Sequence, residues 1–316
     1  MKILITGGNG FVGANLVRYF LSKEVEVSVL VRSKNKSWRL ENISREIEVF
    51  EGDITDRSSI RNVMQDASPD GVIHTAVYGG YPFQKNDEKI FETNLIGTIN
   101  VVEEVVYSEA KWLINTGSSS EYGVKYNPMR ETDVCLPIDS YGVSKLSGTL
   151  YCRAKAEDLH FPVFTLRLFS VYGPMEEPGR LIPHLLTSVL RHKEPELSTP
   201  NPVRDFVYIQ DVCKAYYMLS QKYREIPYGE TINVGTGLSS NVGNVVDVVS
   251  RIVGEGITIK WGKNGGRNSD KSKYWACDST KIRSLLGWIP DFDLFDGLQE
   301  SLGWFRENLK YYPEAT

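Results

Sequence analysis

Through the first half of the chain, short runs rich in Val, Ile and Leu alternate with stretches of helical period. The runs lie at 2–6, 26–31, 46–50, 71–74, 112–115 and 163–168. Between them, Val12, Leu16, Val17, Phe20 and Leu21 fall on one helical face, and Ile90, Leu95, Ile99, Val102 and Val106 on another. Strands that are almost continuously apolar are buried on both faces, which predicts a parallel sheet with helices above and below it. Repeated strand–helix–strand units predict an α/β protein with a doubly wound sheet.

The texture changes near position 173. Pro174, Pro178, Pro183, Pro195, Pro200 and Pro202 interrupt the segment from 174 to 202. A strand-like run returns at 231–234, then a helical run at 242–253 and a Gly/Lys/Asn-rich stretch at 263–273. The chain closes on an amphipathic helix with Leu298, Leu302 and Phe305 on one face. We expect a larger N-terminal unit over 1–173, its sheet completed by part of 205–237. A smaller α/β lobe over 174–316 would then cover the carboxyl ends of the strands, where such sheets bind ligands.

Composition narrows the possibilities. A chain of 316 residues has ample length to bury a core without metals or disulfides. Its net charge of −4 argues against a nucleic-acid partner. No apolar run is long enough to span a bilayer, and mean hydropathy is −0.27. The apolar run in the first eight residues is too short for the core of a signal peptide. Cys135, Cys152, Cys213 and Cys277 are scattered, as expected of reduced thiols in a cytoplasmic protein. The four histidines have no metal-ligand spacing, so no metal is expected.

The candidate chemistry begins directly after the first run. Gly7, Gly10 and Gly13 frame the segment Gly7-Gly8-Asn9-Gly10-Phe11-Val12-Gly13, which opens the first helix. Glycine permits a tight turn and close approach of a pyrophosphate, and the helix start offers unpaired N–H groups. That placement points to a bound dinucleotide and a Rossmann-type fold, with Asn9, Phe11 and Val12 also against the ligand. An acidic residue at the end of the second strand would hold a ribose 2′-hydroxyl. Here Arg32 and Ser33 stand there, followed by Lys34 and Lys36, which favours the 2′-phosphate of NADP(H) over NAD(H). Asp53, followed by Ile54, suits an adenine amino group or, alternatively, the cap of the next helix.

Tyr141 and Lys145 are spaced to share one helical face. A nearby cation would lower the phenol pKa and fit Tyr141 for proton transfer. Ser118, at the end of the fifth run, would point into the ligand crevice. Asn94, polar within an apolar helix, would anchor a water or orient Lys145; the alternative is a side chain in solvent.

With these residues the chain resembles the extended short-chain dehydrogenases/reductases, the nucleotide-sugar epimerase/dehydratase/reductase family. The resemblance rests on the glycine turn, His74-Thr75-Ala76, Asn94, the Ser118 region and Tyr141/Lys145. It extends to Arg167-Leu-Phe-Ser-Val-Tyr-Gly-Pro174, Arg204-Asp-Phe-Val-Tyr208 with Asp211, Asn233-Val-Gly-Thr-Gly237 and Leu286-Gly-Trp-Ile-Pro290. It implies Ser118, Tyr141 and Lys145 as a catalytic triad, with Lys145, Thr75, Ala76 and Asn94 also on the cofactor. It implies a nucleoside-diphosphate sugar in the second lobe, near Ser119, Ser170, Arg180, Arg204 and Arg267. Ser170 departs from the family, many of whose members carry Asn there. A homodimer through the helices at 94–106 and 141–158 is also implied.

Three reactions share this scaffold. Dehydration uses acidic residues just after the Ser118 position; Ser119 and Ser120 stand there, and Glu121 comes one place late. The basic positions after the second strand favour NADPH-dependent reduction of a nucleotide-linked 4-keto-6-deoxyhexose. An NAD-dependent 4-epimerase is the alternative, ahead of a dehydratase or a non-catalytic NADP(H)-binding protein.

Overall fold

Strand β1 (Lys2–Thr6) runs between β2 (Glu26–Val31) and β4 (Gly71–His74), and all three point the same way. The computed structural model of the protein describes residues 1–33, 38–81, 83–262 and 274–313. In its first half, α1 (Phe11–Leu21) follows β1; β3 (Glu48–Glu51) and α2 (Arg57–Ala67) precede β4. Then come α3 (Asp87–Phe91), α4 (Gly97–Val106), β5 (Leu113–Ser118), α5 (Ser140–Leu159), β6 (Val163–Leu168) and β7 (Ser170–Tyr172). The second half carries α6 (Leu181–Leu190), β8 (Glu196–Leu197), β9 (Val203–Arg204), β10 (Phe206–Tyr208), α7 (Ile209–Lys222) and β11 (Thr231–Val234). It continues with β12 (Ser240–Asn241), α8 (Val242–Val253), β13 (Lys260–Trp261), α9 (Thr280–Leu286) and α10 (Leu294–Glu307).

Seven parallel strands form the main sheet in the order β11-β6-β5-β4-β1-β2-β3. Successive side chains of a strand alternate between faces, and two apolar layers result. Ile3, Ile5, Val27, Val29 and Ile73 pack with α1 and α7 on one side. Leu4, Leu30, Val72 and Leu113 pack with α2, α4 and α5 on the other. Two strands differ from the expected bounds. β3 starts at Glu48 because Glu46 closes a turn, its N–H donating to the Ile43 carbonyl. β5 runs on to Ser118 because its register with β6 continues to Ser118 opposite Leu168. The second half contributes β11 to this sheet and forms the two-stranded pairs β12–β9 and β13–β8, while its β10 pairs with β7 of the first half.

His74 fastens the strand ends beneath the ligand crevice. Thr6 Oγ1 lies 2.7 Å from its Nδ1, and Thr98 Oγ1 lies 3.1 Å from its Nε2. Thr98 donates its own hydrogen to the Asn94 carbonyl (2.6 Å), so Nε2–H is the donor to Thr98 and Nδ1 accepts from Thr6. Burial, with the Lys145 charge adding to it, pushes the His74 pKa down to about 3. The imidazole is therefore neutral in the fold but titrates near 6.5 once unfolded. Below that pH the unfolded chain binds the extra proton, so stability falls as pH drops. We expect a loss of about 2 kcal/mol between pH 6.5 and 5 from this group. Urea unfolding at the two pH values checks this: His74→Asn should flatten the dependence, and an unchanged slope would refute it.

Candidate active site

At the end of β1 the chain turns through Gly7, whose φ is +69°. Gly7 N–H donates to the Leu30 carbonyl and Gly10 N–H to the Gly7 carbonyl, both at 2.9 Å. A Cβ on Gly7 would lie 2.7 Å from the Ala76 backbone, and one on Gly13 only 2.3 Å from the Gly7 carbonyl oxygen. Neither position has room for a side chain. Gly10 caps α1 without any side-chain hydrogen bond, so the first N–H groups of the helix are left for a ligand. These features fit the pyrophosphate of a dinucleotide. A cavity of about 940 Å³ leads from this turn to Ser118, Tyr141 and Arg204. Asn9, Phe11 and Val12 line it beside the glycines.

At the far end of the turn the wall is formed by Arg32, Asp53 and Ile54. Arg32 is exposed; Ser33 comes next, half-buried and off the wall. Lys34 and Lys36 lie outside the described residues. Asp53 does not cap α2. Its Oδ1 accepts from the Thr55 N–H and hydroxyl, each at 3.0 Å, and Asp56 is the cap through the Ser58 N–H (2.9 Å). Thr75 and Ala76 form the floor, with the Thr75 hydroxyl donating to the Thr6 carbonyl at 2.7 Å.

The reacting end is assembled by α5, β5 and their neighbours. Asp139 caps α5 by accepting from the Gly142 N–H (2.7 Å), which sets Tyr141 in the first turn and Lys145 one turn later. Ser118 and Tyr141 both line the cavity. Burial raises the Tyr141 pKa; the Ser118 hydroxyl and the Arg180 guanidinium oppose the rise. This corrects the expectation that Lys145 lowers it: desolvation outweighs the opposing groups, and Arg180 is the cation that acts on the phenol. Lys145 is itself buried, and burial lowers its pKa against the pull of Glu121.

Glu121 explains the shape of the Ser118 turn. It is fully buried, accepts the Ser118 N–H at Oε1 (2.8 Å) and pairs with Arg167 Nε at Oε2 (2.6 Å). Ser118 Oγ in turn accepts the Ser120 N–H (3.1 Å). The acidic group that comes after Ser118 thus points into the protein, while Ser119 and Ser120 line the cavity.

Asn94 sits in a π-turn, Glu92–Ile96, between α3 and α4, a local widening that recurs at functional sites. It is neither in solvent nor on the cavity wall. Its Oδ1 accepts the Tyr78 N–H (2.9 Å), and its Nδ2 donates to the Tyr78 carbonyl (2.7 Å) and to Ser144 Oγ (3.0 Å). With both polar ends engaged, Asn94 fixes the loop before α3 and reaches Lys145 only through its neighbour Ser144.

Ser119, Ser170, Arg180 and Arg204 all line the cavity; Arg267 lies outside the described residues. Tyr81 and Glu176 line it too, from the two loops expected to shape the pocket, 78–83 and 175–180, whereas Trp275 carried no motif in the sequence. Trp275 donates its indole N–H to Ser119 Oγ (3.2 Å) and lies beneath the Arg204 guanidinium, 5.3 Å from ring centre.

The model of the NAD dependent epimerase/dehydratase family matches residues 3–235. The chain is 27% identical to a dTDP-glucose 4,6-dehydratase of Escherichia coli, covering 99% of this chain and 95% of that one. Among solved structures it superposes on a UDP-glucose 4-epimerase of Thermotoga maritima with UDP-glucose, at TM-score 0.88 and 26% identity over 98% of this chain and 100% of the other. A UDP-glucuronic acid 4-epimerase of Bacillus cereus, in complex with UDP-glucuronic acid and NAD, matches at TM-score 0.86 and 25% identity over the same shares.

The buried pair behind Ser118 yields a direct test. Glu121→Ala leaves the Arg167 guanidinium without its counter-charge and should cost about 3–5 kcal/mol in urea unfolding. Replacing both, as Glu121→Ala with Arg167→Leu, should recover part of that loss. A double variant as unstable as the sum of the two singles would show that the pair is not coupled.

Proposed function

The chain belongs to the NAD dependent epimerase/dehydratase family, the extended short-chain dehydrogenases/reductases that act on nucleotide sugars, and we propose that it is a nucleoside-diphosphate-sugar 4-epimerase. One observation carries this reading within the family. Ser118, Tyr141 and Lys145 meet at the cavity, while the one acid after Ser118 is turned away to Arg167. That equips the site to move hydrogen at C4, and it leaves the Ser118 turn without the acidic pair that elimination of water requires. The two solved structures described above carry 4-epimerase names, which supports the same reading.

When bound, an oxidised nicotinamide supplies the hydride sink at C4 and a positive charge that favours the Tyr141 phenolate. Tyr141 accepts the C4 hydroxyl proton as the hydride leaves. Ser118 holds the same oxygen as it becomes a carbonyl. Once the ketone presents its other face, Tyr141 would give the proton back to the C4 oxygen, so no proton is consumed. Lys145 holds the cofactor ribose, its charge supported by Glu121. Arg180 and Arg204 suit the diphosphate. Exposed Val143, Leu150 and Ile96 fit a two-fold pairing through α4 and α5.

Arg32 favours a second reading, NADPH-dependent reduction of a nucleotide-linked 4-keto-6-deoxyhexose. An exposed guanidinium at the end of β2 suits a 2′-phosphate. The raised pKa of Tyr141 also suits it, because a protonated phenol is the form that donates to the alkoxide.

The two separate in one assay series. With NAD and UDP-glucose or UDP-glucuronic acid, chromatography should show the C4 epimer appearing without net change in reduced cofactor. Loss of NADPH absorbance with a 4-keto sugar nucleotide, and no epimer, would transfer the assignment to the reductase. Tyr141→Phe should lower kcat by roughly 10²–10⁴ while nucleotide-sugar binding persists. Under the reductase reading, Arg32→Ala should weaken NADPH about 10- to 100-fold and leave NADH unchanged in a binding titration.

A further inference from the structure

The segment after β7 carries a carboxyl group that proton and hydride transfer at C4 do not use. Glu176 is 4% exposed, lines the cavity, and has one oxygen, Oε2, with no hydrogen-bond partner. Its other oxygen faces Arg180 Nε at 3.5 Å. A buried acceptor without a partner is costly, so it marks a place where a ligand donor belongs.

The backbone around it is held on every side. Pro174 O accepts from Asn15 Nδ2 (3.0 Å), Met175 O from Arg39 Nε (2.8 Å) and Glu176 O from the Tyr312 hydroxyl (2.7 Å). Glu177 pairs with Arg39 at 2.5 Å. Met175 itself sits at φ +68°, a strained conformation for a side chain of its size. The carboxyl is therefore presented by a rigid backbone, as recognition of a defined group requires.

Its location narrows that group. Arg180 donates to Gly80 O at 3.4 Å, stacks 5.9 Å over the Tyr81 ring, and acts on the Tyr141 phenol. Glu176 thus borders the reacting end of the cavity rather than the Arg32 end. Burial pushes its pKa up to about 7, with Arg180 opposing, and a donor at Oε2 would relieve that penalty.

We infer that Glu176 is a specificity-determining residue whose free carboxyl oxygen accepts a hydrogen bond from a hydroxyl of the bound sugar. The inference rests on the nucleotide-sugar reading of the site. A sugar lacking that hydroxyl would leave the buried oxygen unpaired and be rejected, the asymmetry by which hydrogen-bonding sites discriminate.

Calorimetric titration of the NAD-loaded protein tests it, with UDP-glucose against UDP and dTDP-glucose against dTDP. Glu176→Leu should weaken the sugar-bearing ligand about tenfold or more and leave its sugar-free partner unchanged. Glu176→Gln retains an acceptor oxygen and should stay near wild type, with thermal melting confirming that both variants fold. Equal weakening of both ligands by Glu176→Leu would make the residue structural and overturn the inference. No change in either would overturn it as well. If the sugar-selective loss appears but no turnover of any sugar nucleotide is found, the proposed epimerase reaction fails and the role of Glu176 stands.

Discussion

No side chain fits between the end of the first strand and the helix that comes after it. The Gly7 carbonyl, the Ala76 backbone and the start of α1 approach so closely that a single Cβ at Gly7 or Gly13 would overlap one of them. That contact sets the angle at which α1 leaves the sheet. The angle aims the helix N–H groups into the crevice and fixes the distance to β4. The crevice then extends over β4 and β5 to Ser118 because those strands are in register and parallel.

Electrostatics completes what the close packing starts. Behind the crevice wall, which includes the buried Lys145, lie a neutral His74 and the Glu121–Arg167 pair, all buried. In such surroundings each charge acts over a longer reach than it would in water. Glu121 illustrates the economy of the arrangement. One carboxylate caps the turn that presents Ser118, neutralises Arg167 and opposes the desolvation of Lys145. A site with the same residues at the surface would lack these couplings.

Much of this was legible in the order of residues. The strands at 2–6, 26–31, 71–74, 163–168 and 231–234 and the helix at 242–253 coincide with the apolar periodicity, because both faces of the sheet are buried. The glycine turn and the Tyr141/Lys145 spacing are local, so their geometry is set within one turn of chain. The features that escaped are contacts between distant positions. Trp275 reaches Ser119 across 156 residues, and Glu121 meets Arg167 across 46. Asn94 escaped for the same reason: its partners, the Tyr78 backbone and the Ser144 hydroxyl, lie 16 and 50 residues away. Nothing in spacing distinguishes a buried carboxyl that supports a turn from one that faces a cavity, which separates Glu121 from Glu176.

The seventh strand has a consequence for how the protein is made. β6 is buried in the finished sheet, yet its outer neighbour β11 comes from residues 231–234, after the whole of α6 and α7. At translation rates of about 5–20 residues per second, the edge of β6 stays open for several seconds while the ribosome delivers the intervening chain. An unpaired strand edge rich in apolar residues, as in Val163, Phe164, Leu166 and Leu168, is the kind of surface on which nascent chains pair with one another. Expression slowed between positions 168 and 231 would prolong that interval, and a chaperone that covers strand edges would shorten the hazard.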